Sequence, residues 1–253
     1  NIAIGHTALG ANTTANNNVA VGTSSLGLNT TGHSNVAMGT SALYANTTAS
    51  YNVAIGYEAL DANTTGASNT AMGTSALGGN NTAIGVNSMV ANTTGVNNTA
   101  LGLNSLDANT TGEENTAIGD GALGANTTAH KNVSVGARSM LINTTGTSNV
   151  AVGYEALEVN TDASNNTAVG YQSLTSNTTA TYNTGVGSRT LANNTTGIRN
   201  SAVGYAALEA NTTGGYNSAV GMNALYTNST ASNNTALGYS ALGTNSTGAG
   251  NTA

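Results

Sequence analysis

The residues with the most chemical opportunity here are asparagines followed, two residues on, by a hydroxyl. Asn12, Asn29, Asn46, Asn63, Asn92, Asn109, Asn126, Asn143, Asn177, Asn194, Asn211, Asn228 and Asn245 all begin Asn-x-Ser/Thr triplets, the acceptor pattern for N-linked sugar. Asn160 does not, because Asp162 replaces the hydroxyl residue. So Asn12 and Asn46 are candidate N-linked positions, and the adjacent hydroxyls Thr13, Thr14, Thr47 and Thr48 are candidate O-linked ones. The composition makes such triplets frequent by chance, and an Asn turned inward cannot carry a glycan. We therefore place the threonines ahead of the asparagines.

Other chemistry finds little to work with. His6, His33 and His130 stand at positions otherwise filled by varied polar residues, as surface decoration does. The carboxylates are scattered, and Glu113-Glu114 reads as a solvated loop tip rather than an acid/base pair. No Ser-His-Asp order, phosphate loop or metal-spaced His cluster is present. The Gly- and Asp-rich calcium-roll nonapeptide has no equivalent. We expect no enzyme activity, metal or cofactor. Tyr57, Tyr154, Tyr171, Tyr205 and Tyr239 share one variable position, while Tyr51, Tyr182 and Tyr216 sit in the loops. They read as surface aromatics, with contact to sugar or a partner as the alternative.

What positions these residues is a repeat. A glycine falls at 5, 22, 39, 56 and 73, then at 85, 102, 119, 136, 153, 170, 187, 204, 221 and 238. Every step is 17 residues except one of 12, between Gly73 and Gly85. A fixed period of this size means stacked coils, each touching only its neighbours. The 253 residues therefore read as one solenoid over 1–253 rather than as one or two globular domains. The pattern stops three residues into a further unit, at Asn251-Thr252-Ala253, and we expect an excerpt of a longer repetitive chain. Charged residues are 6% of the chain and the net charge is −6. No basic patch is available for nucleic acid. There is no cysteine for a disulfide or thiolate metal site, and no apolar run long enough for a membrane span.

The columns of the repeat carry the fold. The residue before the glycine is always large and apolar, as in Ile4, Val21, Met38 and Val152. The one before that is Ala, except for Ser134 and Gly185. Three residues after the glycine the position is always small, and four after it is Leu or Met, as in Leu9, Met89 and Leu157. Gly, Asn and Thr are poor helix formers, and no apolar set recurs at helical spacing. The alternation around the glycine is that of a short strand. We expect the Val152 column to point into the coil and the alanine column outward. Leu157 would lie on a second short strand and meet Val152 inside. Coils ~4.8 Å apart would make a rod of roughly 70 Å. A small, restricted, outward column would then mark close approach of another copy. The alternative is a narrow coil in which both columns face a crowded interior.

Two columns are always Asn: one four residues before the glycine (Asn18, Asn35, Asn52, Asn149) and one seven after it (Asn12, Asn29, Asn46, Asn160). Asn suits turns, and stacked inward amides can bond to the amides above and below. We expect structural ladders at both. The glycine column (Gly22, Gly153) reads as a bend or a close backbone approach. In the short repeat Asn80 is followed at once by Asn81, so the usual five residues, Thr-Thr-Gly/Ala-x-x, are missing. The unit is thus a 12-residue coil core plus a removable loop, which we place outside the core.

Stretches such as Asn166 to Leu174 and Asn200 to Leu208 carry the pattern Asn-Thr/Ser-Ala-Val-Gly-Tyr-x-Ala/Ser-Leu. It resembles the β-roll head repeats of trimeric autotransporter adhesins. It also resembles the repeat arrays of bacterial and phage tail-fibre-domain proteins. The similarity runs the length of the chain; the departure is the longer repeat with its Thr-Thr loop. The resemblance implies an all-β, parallel β-solenoid, left-handed as in adhesin heads, here of fifteen coils, one shortened. It further implies a homotrimer at a cell surface or in a virion fibre, with a host-surface ligand or glycan as partner. Two other readings stay open. One is a single-chain filament, glycosylated on its Thr-Thr loops. The other is a binding module that presents a flat, regular face to ice or carbohydrate.

Overall fold

The computed structural model describes residues 1–76 and 81–253. Every element in them is β. Each repeat contributes one three-residue strand that ends just before its glycine, from β1 (Ile2–Ile4) to β15 (Thr235–Leu237). The architecture is a parallel β-solenoid. The coils fall into two compact units, Asn1–Asp120 and Gly121–Ala253. The first holds β1 to β8 (Thr116–Ile118) and the second β9 (Val133–Val135) to β15. Within each unit successive strands pair in parallel, and like residue meets like. Val150, Ala151 and Val152 of β10 (Val150–Val152) lie beside Thr167, Ala168 and Val169 of β11 (Thr167–Val169). Across the shortened repeat the register survives, with Thr70 beside Thr82. The dropped residues therefore come from outside the strand. Asn80, which the sequence places at that junction, lies outside the described residues.

The inside of the coil is the reverse of the expected arrangement. Alanines point in: Ala20, Ala37, Ala54, Ala151 and Ala219 are 0% exposed. The large residues beside them point out: Val152 is half-buried, and Leu101, Val203 and Val220 are 43%, 40% and 43% exposed. The outward alanine column and the inward Val152 column are thus both corrected. A coil with a three-residue strand is too narrow for two large side chains at each level. The interior holds one, the leucine, surrounded by small residues. Leu26, Leu60, Leu157, Leu174 and Leu208 are fully buried.

The expected second strand is absent among the described residues. Leu157 sits in a turn with φ of 52°, and Leu26, Leu43 and Leu225 have φ of 48°, 54° and 51°. A left-handed conformation costs an ordinary residue about 1–2 kcal/mol, whereas burying a leucine returns about 1.5–3 kcal/mol. Burial wins, and hydrogen bonds hold the turn. The Leu157 N–H donates to the Ser173 carbonyl of the next coil (3.0 Å), and its own carbonyl accepts from the Asn160 N–H (3.2 Å).

Two departures in the alanine column have a packing reason. Thr190 is the one threonine in the small column, and it lies beside Gly185. A Cβ on Gly185 would stand 2.7 Å from Ser173 Oγ and 2.9 Å from Thr190 Oγ1, so the glycine leaves room for the two hydroxyls, which bond to each other at 2.8 Å. Ser134 keeps its hydroxyl satisfied by donating to the Ser139 carbonyl at 2.8 Å.

Candidate functional site: ladders within and three faces without

Both asparagine columns are inside. In the first, Asn18 Oδ1 accepts the Asn35 backbone N–H at 2.9 Å, and Asn18 Nδ2 donates to the Gly32 carbonyl at 2.8 Å. Asn35 treats Asn52 and Ala49 in the same way, and Asn149 treats Asn166 and Ala163. In the second, Asn46 Nδ2 donates to Asn29 Oδ1 (2.9 Å) and to the Ala49 carbonyl (3.0 Å). Asn160 does so to Asn143 Oδ1 (2.7 Å) and Ala163 (3.0 Å). The Ala163 carbonyl is therefore shared by both columns. It belongs to the third residue of the five-residue loop, which is itself buried. The loop is not wholly outside: its third residue is built into the coil.

This geometry corrects one candidate modification. Asn46 is 0% exposed and both its amide hydrogens are used, so it cannot accept a glycan in the folded chain. Asn12, in the first coil, is half-buried and donates to the Ala15 carbonyl at 3.3 Å. Thr13, Thr14 and Thr48 are exposed and Thr47 half-buried. The first threonine of the pair forms a ladder of its own: Thr13 Oγ1 donates to the Thr30 carbonyl and Thr30 Oγ1 to that of Thr47, both at 3.0 Å. The glycine column is a close-approach column. A Cβ on Gly22 would meet the Gly39 carbonyl oxygen at 2.5 Å, and one on Gly153 that of Gly170 at 2.4 Å.

Three faces look outward. The loop face carries the threonines and the aromatic position before the first Asn column. There the Arg199 guanidinium lies between the rings of Tyr182 and Tyr216, 5.5 Å and 5.4 Å from their centroids, and donates to Tyr216 Oη at 2.7 Å. His33 meets Tyr51 edge-on at 5.1 Å. The turn face carries the variable positions after the glycine. Tyr154 and Tyr171 stack at 5.8 Å. Arg138 pairs with Glu158, and Arg189 with Glu209. The Gln172 amide donates to Glu155 at 2.8 Å, and this bond leads in holding the Glu155 carboxyl below its usual range. Burial pushes Asp61 and Asp107 upward. These pairs link neighbouring coils. Among the described residues no group of acidic, His or Cys side chains is placed to hold a metal, and no helix is long and apolar enough to cross a membrane.

The third face is the sheet. Its two outward columns are the residue that opens each strand (Val, Thr, Ser or Ile) and the large apolar residue that closes it. Ile4, Met38, Met72 and Leu101 are exposed in the first unit, and Val186, Val203, Val220 and Leu237 in the second. Sequence reasoning found this column but turned it inward. Neither the protein-family models nor the curated proteins include a match to this chain.

Proposed function

We propose that this chain is a structural segment of an extracellular fibre or surface appendage, the shaft or head of an adhesin- or tail-fibre-like assembly. In it, copies pack side by side through the sheet face. One observation carries this reading: a large apolar residue closes every strand, although no coil buries it. A position facing only water is free to vary, as the positions after the glycine do. The eight strands of the first unit, at ~4.8 Å each, make an apolar stripe of a few hundred Å², the size at which exposed patches mark interaction surfaces. A three-fold assembly follows the proteins that the repeat resembles, and it puts three such stripes around one axis.

The chain has no cysteine, so Val203→Cys creates a single reporter. Oxidation is expected to link two copies through it, while Tyr216→Cys on the loop face stays unlinked. Equal linking at both positions, or none at Val203→Cys, would remove the sheet face as the contact.

A second reading has its own observation. Thr70, Thr82, Thr99 and Thr116 open four successive strands and form a level hydroxyl row beside the apolar column. Such a row suits ordered water at an ice surface. Inhibition of ice recrystallisation by the intact chain, lost in Thr82→Tyr/Thr99→Tyr, would favour it; no inhibition would dispose of it.

A further inference from the structure

The one break in the period makes a cleft. Strands β4 (Val53–Ile55), β5 (Thr70–Met72) and β6 (Thr82–Ile84) are consecutive and in register, but the coil between β5 and β6 has no five-residue loop. The loops on either side are therefore two rungs apart, ~9–10 Å instead of the usual ~4.8 Å. Between them lies a cleft of about 530 Å³. Thr64, Thr65 and Gly66 form one wall, Thr93, Thr94 and Gly95 the other, and among the described residues no lining residue is ionisable.

The walls are the cut ends of a hydrogen-bond ladder. Elsewhere the first Thr N–H of a loop commonly donates to the first Thr carbonyl of the next loop, and in some loops the second joins it, as Thr30 and Thr31 do to Thr47 (2.9 and 3.2 Å) and Thr144 and Thr145 to Thr161 (2.8 and 3.2 Å). At the cleft the series stops. The N–H groups of Thr64 and Thr65 have no backbone acceptor, and the Thr93 carbonyl has no donor, among the described residues. Thr64 Oγ1 also lacks the carbonyl to which Thr13 and Thr30 hydroxyls donate. Backbone donors without a described acceptor on one side and an acceptor on the other, two rungs apart with room for one between, are what an extended backbone needs to enter a parallel ladder.

We propose that this cleft binds an extended, uncharged peptide segment as the missing rung. The neutral lining offers a charged ligand no counter-charge. The width admits one extended chain and not a helix. The segment accepts from Thr64 and Thr65, donates to the Thr93 carbonyl, and lays small side chains against Ala62, Ala91 and Val96. Its closest chemistry is that of the chain's own Thr-Thr-Gly loops, offered by another polypeptide. The site is on the loop face, so it stands or falls separately from packing through the sheet.

The probe is a dye-labelled acetyl-Asn-Thr-Thr-Gly-Ala-Ser-Asn-amide, followed by fluorescence anisotropy against the full chain. Saturable binding is expected. Inserting Thr-Thr-Gly-Ala-Ser between Asn80 and Asn81 restores the period that every other repeat has, and should weaken binding at least tenfold. Ala91→Phe, at an exposed lining residue, blocks the cleft without altering the repeat and should weaken it likewise. No saturable binding, or equal binding to the wild type and both variants, would overturn the proposal. Saturation by a neutral disaccharide but not by the peptide would overturn the assignment to peptide.

Discussion

Asn149 Oδ1 accepts the backbone N–H of Asn166 at 2.9 Å, while its Nδ2 donates to the Ala163 carbonyl at 2.8 Å. One side chain thus fastens its own coil to the next at both the strand entry and the loop. Asn166 repeats the arrangement with Asn183 and Ala180. Asn149→Ala leaves a buried N–H without its acceptor and removes one of two donors to a buried carbonyl. The orphaned N–H costs ~1–3 kcal/mol, and the carbonyl, which keeps Asn160 as a donor, costs less. Amide hydrogen exchange should show lost protection centred on residues 149–183, with coils several repeats away unchanged, as expected where each coil touches only its neighbours. Uniform loss along the chain would argue against ladder-local stability.

The corrected orientation of the strand separates two substitutions that the sequence alone treats alike. Leu157 is 0% exposed, so Leu157→Ala should cost about 2–5 kcal/mol, and Leu157→Asp, a buried unpaired charge, should abolish order in its coil. Val152 faces outward, so Val152→Asp should leave its coil ordered within the single chain, even where it weakens packing between copies. Limited proteolysis of the two Asp variants is the check. Equal sensitivity would return Val152 to the core.

Gly153 combines φ of 139° with a neighbouring carbonyl 2.4 Å from where a Cβ would lie. Gly153→Ala therefore strains the backbone and forces the two coils apart, because the obstacle is main chain and cannot swing away. A loss of about 2–4 kcal/mol is expected from the conformational and steric terms together. Ala151→Gly, which removes only a buried methyl from the same coil, should cost less than half of that. Thermal denaturation of the pair decides the order.

How far the sequence could be read follows from residues such as these. The 17-residue period, the parallel stack and the inward asparagines are legible because each depends on one residue type recurring at one spacing. The orientation of Ala151 and Val152 is not. Alternation says that they face opposite ways but not which way, and the usual preference for burying the larger one fails in a coil this narrow. Nor is the left-handed turn at Leu157 legible, since leucine is a poor choice for that conformation and only burial makes it favourable. The cleft is half legible: the missing loop is plain, but the donors at Thr64 and Thr65 that find no described acceptor depend on how the neighbouring loops bond.

Asp107 gives a pH dependence with a definite sign. Burial raises its carboxyl in the folded chain above the unfolded value of roughly 3.9. Between those two values the folded state binds more protons than the unfolded one, so stability falls as pH rises through that window. Asp107→Asn removes this term. It should stabilise the chain slightly relative to wild type above the window, the effect being screened by solvent at so exposed a group, and leave it unchanged at lower pH. Melting curves at pH 3 and pH 7 test the difference. A gain at pH 3 that vanishes at pH 7 would reverse the assignment.

The central claim is that the apolar sheet face is covered by further copies of the chain. Its most direct test is the molar mass in solution, by light scattering at increasing concentration, of the wild type and of Val186→Asp/Val203→Asp/Val220→Asp. These three residues are exposed in the single chain, so the variant should keep the wild-type circular dichroism. The account predicts three times the chain mass of 24.7 kDa for the wild type and the single-chain mass for the variant. A wild type that stays at the single-chain mass throughout, or a variant that still assembles, would contradict it.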